Sequence, residues 1–414
     1  MSRSGDILAP RDAAMLVAER LLDAGFQTLF AGGCVRDRLL GIAPADFDLA
    51  TAARPEDVMK VFPRGRGVGA HFGVVLVPAG GRAIEVATFR ADGSYHDGRR
   101  PTEVSFGDAE DDARRRDFTI NGLFEDPRTG EVIDFVDGRR DLEARLLKAI
   151  GEPEDRFEED RLRMLRAVRF GARFGLEIDA RTLDAITRRA DRLGAVSRER
   201  VGQELRRMLE HPSRAVAAVL AESTGLDLSI LGASRSENET TCSRLGSLPP
   251  EIIFWVDALV AWELDRGTGL NPDAGSRLVR ELVLSNREQS DLVSLLEIRA
   301  ALLETWSSLG VAKQKRLAAR SCFQRALGLV RAENASLVTE IEVQLEELRL
   351  TGIAPAPWVG GDDLVSAGLP PGPLFRLVLD QVYDAQLEGR VPDQASALLR
   401  AIEIATRLLG EPKS

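Results

Sequence analysis

At 414 residues the chain exceeds what one ordinary hydrophobic core organises, so about two to four modules are expected. Hydrophobic residues make up 44%, as in a globular protein, and no run reaches the ~18 apolar residues of a membrane span. A formal net charge of −10 argues against a nonspecific polyanion binder, although local clusters richer in arginine than lysine leave room for a nucleic-acid substrate.

The first 150 residues alternate short β-type runs with helices. Residues 12–24 form an amphipathic pattern ended by Gly25, residues 27–31 a buried strand, 34–40 a short helix and 46–51 a strand. Residues 73–78 and 83–90 are β-type runs split by Gly80-Gly81, which predicts a hairpin. After Pro153 the β signals nearly vanish. Phe157, Leu162, Leu165, Val168 and Phe174 recur at helical intervals and predict one long helix over 156–174. Further helices are expected over 180–192, 198–209 and 213–222, then a polar loop over 232–250, helices over 251–350, a Pro/Gly linker at 355–361 and a last helical module at 362–409. The fold class is therefore α+β, with a mixed-sheet head (1–150) followed by an all-α neck (151–222), body (223–350) and tail (351–414). The start of the chain lacks the apolar core of a secretory signal, and a cytoplasmic location is expected.

Phe30-Ala31-Gly32-Gly33-Cys34 places two glycines between a strand and a helix. Without Cβ atoms the backbone N–H groups can approach a phosphate closely, and the helix N-terminus adds positive potential. Arg36 could add a charge-assisted contact to the same triphosphate. Asp46 and Asp48 stand two apart on the next strand, so both carboxylates share one face while Phe47 packs behind. That pattern suits a pair of divalent ions, one activating an attacking 3′-hydroxyl and one neutralising a leaving pyrophosphate. With three scattered cysteines and three histidines, carboxylates must hold any metal, which favours Mg²⁺. Glu85 is either a third ligand or simply an alternating polar residue.

Gly32-Gly33-Cys34-Val35-Arg36-Asp37, Asp46-Phe47-Asp48-Leu49-Ala50-Thr51, Arg115-Arg116-Asp117-Phe118-Thr119-Ile120-Asn121 and Glu159-Asp160-Arg161-Leu162-Arg163 occur in one order at regular spacing. Together they resemble the bacterial class II tRNA nucleotidyltransferases, the CCA-adding enzymes of the polymerase-β superfamily, and their poly(A) polymerase relatives. The resemblance implies that Gly32, Gly33 and Arg36 hold the triphosphate and that Asp46 and Asp48 are catalytic and hold two Mg²⁺ ions. Arg116, Asp117 and Asn121 would face ribose and phosphate, and Glu159, Asp160 and Arg163 the nucleobase. Asp160 and Arg163 are three apart on the predicted helix, so they would share a face. A carboxylate accepts and a guanidinium donates, which matches the exocyclic amine and ring nitrogen that C and A both present; U and G offer the opposite pattern. Each mispaired buried group costs ~1–3 kcal/mol.

Tyr95, Asp97, Arg99 and Arg100 lie in a polar loop that resembles the family's flexible loop for switching from C to A. His71 belongs to a glycine turn that resembles CCA-adding enzymes more than the polymerases. Arg188, Arg189, Arg198, Arg200, Arg206 and Arg207 are candidates for gripping tRNA phosphates. The expected reaction is addition of CMP and AMP to the tRNA 3′ end from CTP and ATP, with no membrane and no obligate protein partner. An A-adding or CC-adding enzyme, a poly(A) polymerase, or a catalytically silent RNA-binding protein are the alternatives.

Overall fold

Strand β1 (Thr28–Ala31) is buried along its whole length, and the head is assembled around it. The computed structural model describes residues 7–68, 73–92, 104–232, 242–250, 254–268, 272–369 and 371–410. Within these, helix α1 (Pro10–Asp23) precedes β1 and buries Ala13, Ala14, Val17 and Leu21 against the sheet. Helix α2 (Gly33–Leu39) follows β1, then β2 (Leu49–Thr51), α3 (Pro55–Val61) and β3 (Arg66–Gly67). Strands β4 (Val74–Ala79) and β5 (Arg82–Thr88) form the expected hairpin. Its turn is Gly80-Gly81, both with positive φ (53° and 76°), the conformation that a two-residue type I′ turn demands.

Strands β6 (Arg90–Asp92) and β7 (Val104–Phe106) pair with each other, and α4 (Ala109–Arg114) begins at an Asp108 capping box. A 3₁₀ turn (Thr119–Asn121) leads to β8 (Leu123–Glu125) and β9 (Val132–Asp134). The sheet order is β3-β4-β5-β2-β1-β8-β9; β1 runs antiparallel to β2 and β8, whereas β2 runs parallel to β5. The head is thus a mixed sheet.

Helix α5 (Gly138–Glu143) and β10 (Leu146–Leu147) close the head, and β10 pairs with β11 (Glu177–Ile178) of the neck. The expected single helix over 156–174 is two helices, α6 (Pro153–Glu159) and α7 (Leu162–Phe174). Asp160 is extended between them (φ −148°, ψ 101°), and its Oδ1 accepts from the Leu162 N–H at 3.1 Å. A short acidic side chain that bonds nearby backbone competes with the helical ladder, which accounts for the break. The apolar spacing runs through the break undisturbed, with Phe157, Leu162, Leu165, Val168 and Phe174 all buried. Helices α8 (Ala180–Arg189), α9 (Arg198–Leu209), α10 (Arg214–Ser223) and α11 (Leu226–Leu231) follow.

The chain divides into two compact units, Met1–Ala233 and Ser234–Ser414. In the second, α12 (Ser243–Ser247) falls inside the stretch expected to be a loop, seated by Asp265, whose carboxylate accepts from the Arg244 and Leu245 N–H groups. Then come α13 (Trp255–Asp265), α14 (Pro272–Leu282), α15 (Asn286–Glu304), α16 (Val311–Ala318), α17 (Phe323–Glu333) and α18 (Ala335–Leu350). The last three helices, α19 (Gly361–Ser366), α20 (Leu374–Leu387) and α21 (Gln394–Gly410), share a small core around Leu364, Val378, Val382 and Ala401.

Strand β2 is shorter than the expected 46–51 run: Asp48 contributes only its carbonyl, which accepts from Ala31 N–H at 3.0 Å. The alternation persists all the same, with Phe47 buried edge-on against Phe30 (centroids 5.2 Å apart) between exposed Asp46 and Asp48. Phe47→Ala should cost about 3–5 kcal/mol of unfolding free energy in urea denaturation, through the cavity left beside Phe30. A loss below about 1 kcal/mol would contradict that packing.

Candidate nucleotide and metal site

The glycine turn is a place where only glycine fits. Gly32 has φ 68° and ψ −111°, and a Cβ there would lie 2.6 Å from Nη1 of Arg116. Its N–H donates to Leu123 O at 2.9 Å, fixing the turn on β8. The chain then enters α2, whose first N–H groups have no partner within the helix. Gly32 and Gly33 line a cleft of about 460 Å³ together with Arg116, Asp117, Asn121, Asp160 and Arg163. The structure therefore gathers three of the four sequence motifs at one cavity.

Buried acids orient the arginines of that cleft. Asp112 of α4 accepts from Arg115 Nε through Oδ1 (2.9 Å) and from Arg116 Nη2 through Oδ2 (2.8 Å). Burial would raise its pKa, but Arg116 and Arg115 outweigh that and hold it below the usual carboxylate range. Asp117 is also buried. Its Oδ1 accepts from Asn121 Nδ2 (2.9 Å), and its Oδ2 accepts from both Nε and Nη2 of Arg166 on α7 (2.8 and 2.7 Å). Burial again opposes ionisation, yet Arg166 and Asn121 keep this carboxyl below its ordinary pKa.

Asp160 and Arg163 both line the cleft, although not as neighbours on one continuous helix. Asp160 occupies the break and Arg163 the first turn of α7, joined by Arg163 N–H to Asp160 O at 3.0 Å. Asp160 Oδ2 accepts from Arg200 Nη2 (2.7 Å); Arg163 donates to Glu159 (2.6 Å) and to the Arg115 carbonyl (3.1 Å). Glu159 is thus a support for Arg163 and Arg156 and does not line the cleft itself. Arg36 lines the same cleft. It is 5% exposed, and its guanidinium is bonded to Asp37 and Asn121.

Asp46, Asp48 and Glu85 line a second cleft of about 570 Å³, floored by Phe47 and Ile84. Asp48 keeps solvent access, yet the protein packed around its carboxyl displaces part of its hydration; this, then the charges of Glu85 and Asp46, push its pKa up to about 6, against the pull of Arg116. Arg116 is therefore the electrostatic neighbour that links the two clefts. Among the described residues no three Asp, Glu, His or Cys side chains converge tightly enough to hold an ion as they stand. The donor set nevertheless fits a hard cation: Asp46 and Asp48 are solvent-facing oxygens whose mutual repulsion with Glu85 a divalent ion would relieve.

Several expected residues have other partners or lie elsewhere. Arg188 and Arg189 pair with Glu154, Arg198 donates to Ser229 O, and Arg207 pairs with Glu204. Arg206 has a buried Nε. Tyr95, Asp97, Arg99, Arg100 and His71 lie outside the described residues. No helix among the described residues is long and apolar enough to cross a membrane.

Residues 28–148 match the poly(A) polymerase head domain, and residues 175–229 match a probable RNA- and SrmB-binding site of polymerase A. The CCA-adding enzyme of Geobacillus stearothermophilus is 32% identical over 93% of this chain and 95% of its own length. That of Lactobacillus delbrueckii subsp. bulgaricus is 34% identical over 91% and 94%. The chain belongs to the CCA-adding enzyme family. A crystal structure of the Bacillus stearothermophilus CCA-adding enzyme in complex with CTP is similar to it with a TM-score of 0.80 and 28% identity, covering 98% of this chain and 100% of that one. As a CCA-adding enzyme the chain is a nucleotidyltransferase, with the family's mixed-sheet head and helical remainder.

Two cleft residues of this CCA-adding enzyme escaped the sequence reading, Arg166 and Phe170. Their signal was present: Arg163, Arg166 and Phe170 follow at three- and four-residue steps, one face of α7. A raised carboxyl pKa means that the folded chain binds the proton more tightly than the unfolded one. Ionised Asp48 therefore opposes folding, most fully above about pH 6, and this penalty shrinks as pH falls toward the unfolded value. Asp48→Asn should accordingly raise the melting temperature of EDTA-treated protein at pH 8, by a margin that narrows by pH 5. A lower melting temperature for the variant at pH 8 would contradict the electrostatic reading.

Proposed function

We propose that this enzyme adds CMP and AMP to the 3′ end of tRNA, from CTP and ATP, with release of pyrophosphate and without a nucleic-acid template. The observation that carries the reading is that the glycine turn, the Asp117–Asn121 segment and the Asp160/Arg163 pair line one cleft. Phosphate, ribose and base of a single nucleotide thus have separate neighbours within it. CTP in the similar structure and the name of the relatives point the same way.

Asp160 accepts from the exocyclic amine of C or A, and Arg163 donates to the adjacent ring nitrogen. UTP and GTP would set carbonyl against carboxylate and ring N–H against guanidinium, costing ~1–3 kcal/mol for each buried mispairing. Asp117 and Asn121, rigidly bonded to each other, lie on the ribose side and favour ribonucleotides. Arg116, fixed by Asp112, answers phosphate charge, and its place above Gly32 sets it beside the turn that receives the triphosphate. Asp46 and Asp48 would hold two Mg²⁺ ions, with Glu85 close enough in charge to join them. Such ions, when bound, lower the pKa of the attacking hydroxyl and offset the charge on the departing pyrophosphate.

Recognition of tRNA would rest on phosphate and shape, because a duplex RNA groove exposes little sequence.

Purified enzyme with Mg²⁺ should extend a tRNA transcript lacking CCA by three nucleotides, extend one ending in CC by a single A, and leave a complete tRNA unchanged. Arrest at CC would identify a CC-adding enzyme, extension of the CC transcript alone an A-adding one, and indefinite tailing with ATP a poly(A) polymerase. Asp48→Ala should abolish extension while tRNA binding by filter retention persists; surviving turnover would refute the metal assignment. Arg163→Ala should lower the preference for CTP over UTP by about tenfold or more, the equivalent of one lost pairing. An unchanged preference would remove Arg163 from base selection.

A further inference from the structure

Arg36 lines the nucleotide cleft, yet every nitrogen of its guanidinium is already engaged within the protein. Its Nε and Nη2 donate to Asp37 Oδ1 (2.8 and 2.6 Å), and its Nη1 donates to Asn121 Oδ1 at 2.5 Å. The guanidinium lies 4.3 Å from the ring of Phe174 and 5.2 Å from that of Phe170, both on α7. Those rings stack on each other at 6.0 Å. Asn121 in turn donates to Asp117, Asp117 accepts from Arg166, and Arg166 sits 5.1 Å over Phe170. The interactions close a ring: Arg36, Asn121, Asp117, Arg166, Phe170 and back to Arg36. One segment of that ring follows the glycine turn, one lies on the ribose side, and one belongs to the helix that carries Arg163.

We propose that Arg36 is a positioning residue that locks the glycine turn and the Asp117–Asn121 segment to the base-selecting helix, and is not a ligand of the triphosphate. The inference rests on the nucleotide-site reading above. A planar guanidinium suits the task because its edge bonds two acceptors in one plane while its face stacks on aromatic rings. Loss of the ring would let α7 shift against the turn. Misplacement of about 1 Å can cost a hundredfold where reacting groups must be aligned. Ribose discrimination should suffer first, since Asn121 loses its direct partner.

Two variants separate positioning from ligation. Arg36→Met removes the charge and keeps an apolar stem beneath the rings. Phe174→Leu keeps the junction apolar and alters a residue that does not line the cleft. The readouts are the affinity for inorganic tripolyphosphate by calorimetry, and kcat/KM for CTP against dCTP on a tRNA lacking CCA. Both variants should bind tripolyphosphate within about twofold of wild type, while the CTP/dCTP ratio falls about ten- to a hundredfold. An Arg36→Met protein that binds tripolyphosphate tenfold or more weakly overturns the proposal, as does a Phe174→Leu protein with wild-type discrimination. If the wild-type enzyme fails to use CTP, the underlying nucleotide reading fails, and the tripolyphosphate arm still decides the role of Arg36.

Discussion

A carboxylate taken out of water has to be paired on every side, and Asp117 is where this requirement organises the molecule. Its two oxygens point in different structural directions. Oδ1 holds Asn121 in the head, and Oδ2 holds Arg166 on the neck helix. Oδ1 also accepts from the Phe118 N–H, whereas Oδ2 accepts from Arg166, so removal of Arg166 would leave a buried charge half-satisfied. Around it the junction is filled with apolar and aromatic matter, Phe118 against Phe170 and Phe170 against Phe174, and sealed by the β10–β11 ladder. The cleft inherits its shape from this junction, because one wall comes from α7 and another from the start of α2.

Charge differs between the two clefts. The first is lined by Arg36, Arg115, Arg116, Arg163, Arg166 and Arg200, with Asp117 and Asp160 as the acids among them, while Asp112 holds Arg115 and Arg116 from behind. In the neighbouring cleft the acids face outward and crowd one another, and Asp48 pays for it in a raised pKa. Crowded acids that would suit a cation are thus kept at some cost to stability, the usual relation between function and the fold that carries it. Arg116 lies within electrostatic reach of Asp48 while it is held by Asp112, so the two clefts are not independent.

Local features of the sequence were legible where local physics decides them. Gly80-Gly81 between two alternating runs admits little except a tight hairpin, and that is what forms. Gly32-Gly33 after a buried strand marked the turn, and Phe47 between two aspartates marked which side of the chain faces inward. The family resemblance supplied the remaining site expectations, and the relatives bear out the family itself. What could not be read was set by partners distant in sequence. The apolar period of α6 and α7 continues through Asp160, so nothing in the pattern announces the break; it follows from one side-chain oxygen competing for the Leu162 N–H. Arg36 follows the glycine turn by one helical turn, where a phosphate ligand would stand, and of its partners only Asp37 is local; Asn121, Phe170 and Phe174 are many residues away. Arg166 was missed for the same reason, since its role depends on Asp117.

The central claim is that amino-acid side chains, and not a nucleic-acid template, choose the base in the cleft beside Asp160 and Arg163. Equilibrium binding of the four ribonucleoside triphosphates to the tRNA-free enzyme tests it most directly. CTP and ATP should bind with similar affinity, and UTP and GTP about tenfold or more weakly, as one or two mispaired buried groups require. Equal affinity for all four would contradict the account.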